Sequence, residues 1–94
     1  MDKSYWVYIL LCNNGSYYTG YTTDMNRRFD EHLAGTAKCK YTRSFKPIRI
    51  ARMWKVTNSG LARHLESYIK KLTKSEKEQL ILSPELLNTG DRPD

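Results

Sequence analysis

The sequence predicts an α+β fold: a small three-stranded, mainly antiparallel sheet flanked by helices, in the order β-β-α-β-α-α, closing a two-layer core. Three observations predict it. Residues 5–12, YWVYILLC, and 16–22, SYYTGYT, are aromatic and β-branched runs joined by Asn13-Asn14-Gly15, residues that tolerate positive φ in a tight turn. Two later stretches carry apolar residues at helical spacing, and a third strand-like run lies between them. The 94 residues are enough for one domain and show no internal repeat.

Each element has its own signal. Residues 5–12 are almost continuously apolar, as expected of a central strand covered on both faces. Gly20, inside the second strand, marks a bulge or a close backbone approach. Asp24 is suited to cap a helix over about 25–35, with Met25, Phe29 and Leu33 facing the core and Gly35 ending it. Residues 36–46, TAKCKYTRSFK, have no clear period and read as a basic loop. Pro47 precedes a third strand at about 48–56, an edge strand with charges on both faces. In it Ile48, Ile50, Trp54 and Val56 share one side with Arg52. Asn58 caps a helix at about 59–72 with a stripe of Leu61, Leu65, Tyr68, Ile69 and Leu72. Thr73-Lys74-Ser75-Glu76 has the form of a capping box and opens a last helix to about Leu82. The domain is thus residues 1–82. The tail, 83–94, has two prolines and is expected to fray, unless Leu86 and Leu87 dock back.

The composition narrows the function classes. No apolar run approaches the roughly 18–20 residues of a membrane span. The opening residues MDKS lead straight into a strand, so no signal peptide is read and a soluble, cytoplasmic protein is expected. Cys12 and Cys39 are expected to be reduced, and no His or Cys pair has zinc-finger spacing. The net charge is +6. No acidic residue lies between Glu31 and Glu66, whereas Lys38, Lys40, Arg43, Lys46, Arg49, Arg52, Lys55 and Arg63 all do. Such a region suits a polyanion, because Lys and Arg displace counterions from phosphates. It equally suits a solvated cationic surface with no partner.

Four residues early in the chain carry proton-transfer or phosphate-binding chemistry. Tyr8 and Tyr18 lie on paired strands and can project from one face, or they are simply packing tyrosines. Arg28 and His32 are one helical turn apart. Phe29 anchors their helix, so Arg28 can be held over the sheet and aimed at a phosphate, or else be solvated like Arg27. Glu66 sits off the apolar stripe of its helix, aligned with Ala62 and Lys70. A single carboxylate can hold Mg²⁺ when waters and substrate phosphates complete the octahedron.

In order and spacing these residues resemble the GIY-YIG nuclease superfamily, and in particular its small stand-alone bacterial members. The first motif is Trp6-Val7-Tyr8 and the second Tyr18-Thr19-Gly20. Arg28-Phe29-Asp30-Glu31-His32 matches the family's Arg-aromatic-x-x-His helix, and Glu66 falls where the family has a metal-binding Glu on a later helix. The segment Lys40-Tyr41-Thr42-Arg43 is also similar to the small members. The resemblance covers about residues 4–82. It departs from the pattern at Trp6 (for Gly) and Thr19 (for Ile). Residues 75–79, SEKEQ, lack the Asn that many active family nucleases carry there; Gln79 is the nearest substitute in type.

The resemblance implies a divalent-metal-dependent endonuclease acting on DNA in a repair or recombination role, selecting structure rather than sequence. Its catalytic residues would be Tyr8, Tyr18, Arg28, His32 and Glu66, with one Mg²⁺ or Mn²⁺ on Glu66. Either tyrosine could serve as general base. Lys38, Lys40, Arg43 and Arg49 would hold the DNA backbone, with Tyr41 stacking on a base. A non-catalytic DNA- or RNA-binding module on the same fold is the alternative, and a domain docking an acidic protein is a third. No obligate protein partner is read from the sequence. The nuclease expectation requires Glu66 to face Tyr8 and Tyr18.

Overall fold

In the computed structural model, which describes residues 4–35 and 40–89, the first strand lies in the middle of the sheet. This is β1, Tyr5–Cys12. Val7, Tyr8, Ile9, Leu10 and Cys12 are all buried, which accounts for its unbroken apolar run. Strand β2, Tyr17–Thr22, pairs antiparallel on one side, and β3, Pro47–Val56, antiparallel on the other. The sheet order is β2-β1-β3. The hairpin closes through Gly15, at φ 83°, with Cys12 and Ser16 bonded across it.

Successive side chains of β1 point to opposite faces. Val7 and Ile9 join Trp54 and Val56 against Ala62, Leu65 and Ile69 of α3 (Ser59–Lys70), Leu80 of α4 (Lys74–Leu82) and Leu87. Tyr8 and Leu10 join Met25 of α1 (Met25–Ala34), with Trp6, Tyr18, Phe29 and Ile50 packed around them. The α+β class and the strand arrangement hold, with apolar helices against both faces of the sheet rather than one.

The caps are those the sequence predicts. Asp24 accepts from Arg27 N at 3.1 Å, and Gly35 ends α1 in the left-handed conformation. Asn58 accepts from Leu61 N at 2.9 Å, and Thr73 and Glu76 form a reciprocal capping box. These are local interactions, legible from a few consecutive residues.

Long-range contacts change several expectations. The register of β3 on β1 shifts between Ile9, opposite Arg52, and Leu10, opposite Ile50. Ala51 is thus an extra residue, and a bulge inverts the alternation beyond it. Ile50 therefore packs on the Tyr8 face while Trp54 and Val56 pack on the Val7 face, and a second shift, between Leu11 and Cys12, leaves Ile48 unpaired and exposed. Arg52, on the Val7 side, donates through Nε and Nη2 to the Ile81 carbonyl at 3.0 and 2.7 Å, which satisfies the end of α4. The basic segment contains a short helix, α2 (Lys40–Ser44), not a loop throughout.

On α1, Leu33 is exposed and the adjacent His32 is the buried residue. His32 takes the inward position because hydroxyls on both sides satisfy its ring. On α3, Tyr68 is half exposed. The tail does not fray directly at Ser83. Pro84–Leu86 form a 3₁₀ turn, Trp54 Nε1 donates to the Pro84 carbonyl at 2.9 Å, and Leu87 is buried while Leu86 stays exposed. Cys12 is a buried free thiol; Cys39 and residues 90–94 lie outside the described residues.

Candidate active site

The site is built on the Tyr8 face of the sheet. Tyr8 stands opposite Gly20, and Leu10 opposite Tyr18, so the two tyrosines are diagonal neighbours on one face. A Cβ at residue 20 would lie 2.5 Å from the Tyr8 hydroxyl oxygen. Gly20 therefore serves a close approach: the Tyr8 ring runs across its bare backbone. This brings the Tyr8 hydroxyl 2.8 Å from Nε2 of His32, on α1. The opposite ring nitrogen, Nδ1, lies 2.7 Å from Oγ1 of Thr42, on α2. Tyr8, His32 and Thr42 are buried, so the chain of three polar groups is sheltered from water and internally bonded.

Tyr18 meets the same imidazole edge-on, with ring centres 5.1 Å apart at 64°. Its stacked partner is Tyr41, at 5.8 Å and 23°, and Tyr41 in turn meets Phe45 at 5.2 Å. The Tyr41 hydroxyl is hydrogen-bonded to Ser16 Oγ, which pins α2 to the hairpin. Unlike Tyr8, Tyr18 is only partly buried.

Burial, and then the positive charge of Arg28, push His32 down from its usual 6.5 to about 4; Glu31 opposes this in part. The imidazole is therefore neutral near pH 7, with one N–H and one lone pair, matching two hydroxyl neighbours. Arg28 Nε lies 3.6 Å from a Glu31 carboxylate oxygen. That nitrogen is buried and has no hydrogen-bond partner. An unsatisfied guanidinium donor close to His32 is suited to an anionic oxygen.

Tyr8, Tyr18 and His32 are thus in contact, and Arg28 is close enough for its charge to act on His32. Glu66 is not in that contact set. Its helix packs on the Val7 face, and its ion pair is with Lys70, at 3.5 Å. Among the described residues it makes no hydrogen bond or ion pair to the other four. Leu61, Leu65 and Tyr68 of α3 turn toward Leu86 and Leu87. A helix advances about 100° per residue, so Glu66 occupies the other flank, away from the 3₁₀ turn held by Trp54 of β3. Among the described residues no three His, Cys, Asp or Glu side chains come together to hold a metal. The donor set on offer is one partly buried carboxylate. It fits Mg²⁺ or Mn²⁺ in the mode where waters and phosphate oxygens supply the remaining ligands.

The expected nucleic-acid contacts divide. Lys40 and Arg43 are exposed on α2 beside the site. Arg49 is on the other face: it pairs with Leu11, which pairs with Tyr17, and its charge acts on the Tyr17 hydroxyl. The β3 bulge puts it there. Tyr41 has Tyr18 against one side and Phe45 beside it, so it braces the site before any base could stack. Lys38 lies outside the described residues. Gln79 lines a groove with Tyr68, Leu72 and Leu86, and so does not join the Tyr8 face. Sequence reasoning missed Thr42. The Lys40–Arg43 segment stood out only by resemblance and gave Thr42 no role, since its importance lies in a contact ten residues away.

Residues 4–79 match the family model described as the GIY-YIG catalytic domain. The UPF0213 protein BH0048 of Halalkalibacterium halodurans is 42% identical over 83% of this chain and 82% of its own length. A UPF0213 protein of Fusobacterium nucleatum is 40% identical over 87% and 81%. Among solved structures, the solution NMR structure of the protein EF2693 from E. faecalis is 39% identical, with a TM-score of 0.62 over 93% of this chain and 94% of that one. The BH0048 solution structure superposes with a TM-score of 0.54. With matching motifs, matching strand arrangement and a family match over most of its length, the chain belongs to the GIY-YIG catalytic domain family.

Proposed function

We propose that the protein is a divalent-metal-dependent endonuclease that hydrolyses phosphodiester bonds in DNA, selects DNA structure rather than sequence, and serves repair or recombination. The observation that carries this reading is the convergence of Tyr8, Tyr18 and the neutral His32 on one face, with the Arg28 guanidinium beside them. The residues divide by exposure. Tyr18, partly open, is the better-placed general base toward water. Tyr8, at 2% exposure, orients that water with its hydroxyl held by His32. His32, equally buried, orients Tyr8 and does not reach a phosphate. A phenol in water titrates near pH ~10, so a phenolate needs a neighbouring cation, and Arg28 supplies positive charge here. Arg28 also stabilises the charge that builds on the phosphate. Glu66 bonds to neither tyrosine, so it would hold the metal with waters and phosphate oxygens between it and them, and the metal would supply Lewis-acid stabilisation of the leaving 3′ oxygen. Lys40 and Arg43 would hold the backbone.

The test is cleavage of nicked, flapped, branched and single-stranded DNA with Mg²⁺ or Mn²⁺. Wild type cuts at least one substrate, and Arg28→Ala and Glu66→Ala do not. Equal residual activity in the variants would trace the cutting to a contaminant and sink the assignment.

A second reading, a non-catalytic DNA- or RNA-binding module, is favoured by one observation: Glu66 is paired with Lys70 and bonds to none of the other site residues. It predicts salt-sensitive binding without cleavage. A Mg²⁺-dependent rise in melting temperature that vanishes in Glu66→Ala counts against it.

A further inference from the structure

Thr42 is fully buried on a short helix, with its hydroxyl oxygen 2.7 Å from Nδ1 of His32. On the other side of that ring, the Tyr8 hydroxyl lies 2.8 Å from Nε2. A neutral imidazole has one donor and one acceptor, so its two neighbours cannot play the same role. Two arrangements exist. In one, Tyr8 donates to Nε2 and Nδ1–H donates to Thr42. In the other, Thr42 donates to Nδ1 and Nε2–H donates to Tyr8. A phenol is the stronger acid of the two hydroxyls, and an aliphatic hydroxyl oxygen accepts better than a phenolic one. Both preferences favour the first arrangement.

We propose that Thr42 is a positioning residue that fixes His32 as the Nδ1–H tautomer, so that Nε2 accepts the Tyr8 proton. The consequence is chemical. With its proton committed to His32, the Tyr8 hydroxyl cannot donate to a phosphate. The opposite tautomer would release the Tyr8 proton from His32. Thr42 thus acts on Tyr8 through the His32 ring. The placement of Tyr41 one residue earlier, stacked on Tyr18, means that α2 braces both tyrosines: one by ring contact, one through a hydrogen-bonded histidine. The catalytic consequence rests on the nuclease reading, whereas the tautomer does not.

The experiment therefore has two arms. In the first, the His32 ring nitrogens of ¹⁵N-labelled protein are read by long-range ¹H–¹⁵N NMR near pH 7, in wild type, Thr42→Val and Thr42→Ser. Wild type and Thr42→Ser show Nδ1 protonated and Nε2 bare; Thr42→Val shifts population toward the Nε2–H form. A wild-type spectrum with Nε2 protonated overturns the proposal whether or not any variant folds. An unchanged tautomer in folded Thr42→Val overturns it as well. In the second arm, cleavage falls by about tenfold or more in Thr42→Val and recovers in Thr42→Ser, since a mis-set tautomer beside a catalytic group can cost up to about 10⁴. Wild-type rates in Thr42→Val overturn the positioning role. If wild type cuts no substrate, the nuclease reading fails by itself, and the NMR arm alone decides the tautomer.

Discussion

The two faces of β1 are built from alternate residues of one eight-residue strand, yet they solve different problems. On the Val7 and Ile9 side, α3 and α4 bring apolar side chains, and the polar groups include Arg52 on the Ile81 carbonyl and Thr19, opposite Ile9, whose buried hydroxyl has no hydrogen-bond partner. On the Tyr8 and Leu10 side, a phenol, an imidazole and a threonine hydroxyl are buried in line. The first face is stabilised by area removed from water and tolerates any well-fitting apolar residue. The second is stable only while each polar group keeps its partner, because an unpaired buried donor or acceptor loses its hydration for nothing. In this small domain the buried tyrosine and histidine lie on the side of the strand opposite the main apolar cluster, while Glu66 alone comes from the helix packed on that cluster. Substitutions on the two sides should therefore separate stability from chemistry.

The largest separation is expected at Arg28. Arg28→Ala should lower cleavage by about 10²–10³, as loss of a transition-state donor does elsewhere. Its melting temperature should hardly move, since the Arg28 Nε makes no hydrogen bond in the folded protein. A melting shift as large as that of a core variant would break the comparison. Ile69→Ala is the opposite case. Ile69 is fully buried on the apolar face, and its truncation should cost about 2–5 kcal/mol in chemical denaturation. The fraction that remains folded should cut DNA at the wild-type rate; a matching loss in rate per folded molecule would show that the two faces are coupled.

Acid should affect the polar face in particular. Because His32 titrates well below its unfolded value, the unfolded chain binds a proton that the folded chain refuses. The stabilisation is present in full above pH ~6.5 and is lost as pH falls toward about 4. Over that window stability should drop by an amount on the order of 3 kcal/mol. The same titration in His32→Asn should be flatter, and parallel curves would remove His32 as the cause. The smallest effect is expected at Gly20. Gly20→Ala places a methyl against the Tyr8 hydroxyl and should destabilise by about 1–3 kcal/mol. It should also displace Tyr8 from His32, visible as a changed His32 ring signal. An unchanged signal would mean that the strand shifts and the ring does not.

Much of this was legible beforehand because it is local. Asp24, Gly35, Asn58 and the Thr73–Glu76 pair act on backbone groups within a turn of themselves, and Asn14-Gly15 shapes its own hairpin. The shared face of Tyr8 and Tyr18 follows from a short hairpin, and the closeness of Arg28 to His32 from helical spacing. The family was legible from those same residues taken in order. The position of Arg49 was not, because a bulge at Ala51 depends on how β3 meets β1 and reverses which residues face which helix. Nor was the burial of His32 in place of Leu33, since a polar group is buried only where distant partners satisfy it.

By itself, then, the sequence determined the elements, their caps, the pairing of the hairpin and the list of residues able to do chemistry, because each of these depends on neighbours in the chain. The tertiary structure alone decided which face each residue serves, that Thr42 completes the His32 ring, that Tyr41 braces Tyr18, and that Glu66 pairs with Lys70. Those outcomes depend on register and on the meeting of segments far apart in the chain. One extra residue in a strand, or one hydroxyl supplied by a remote helix, is enough to change them.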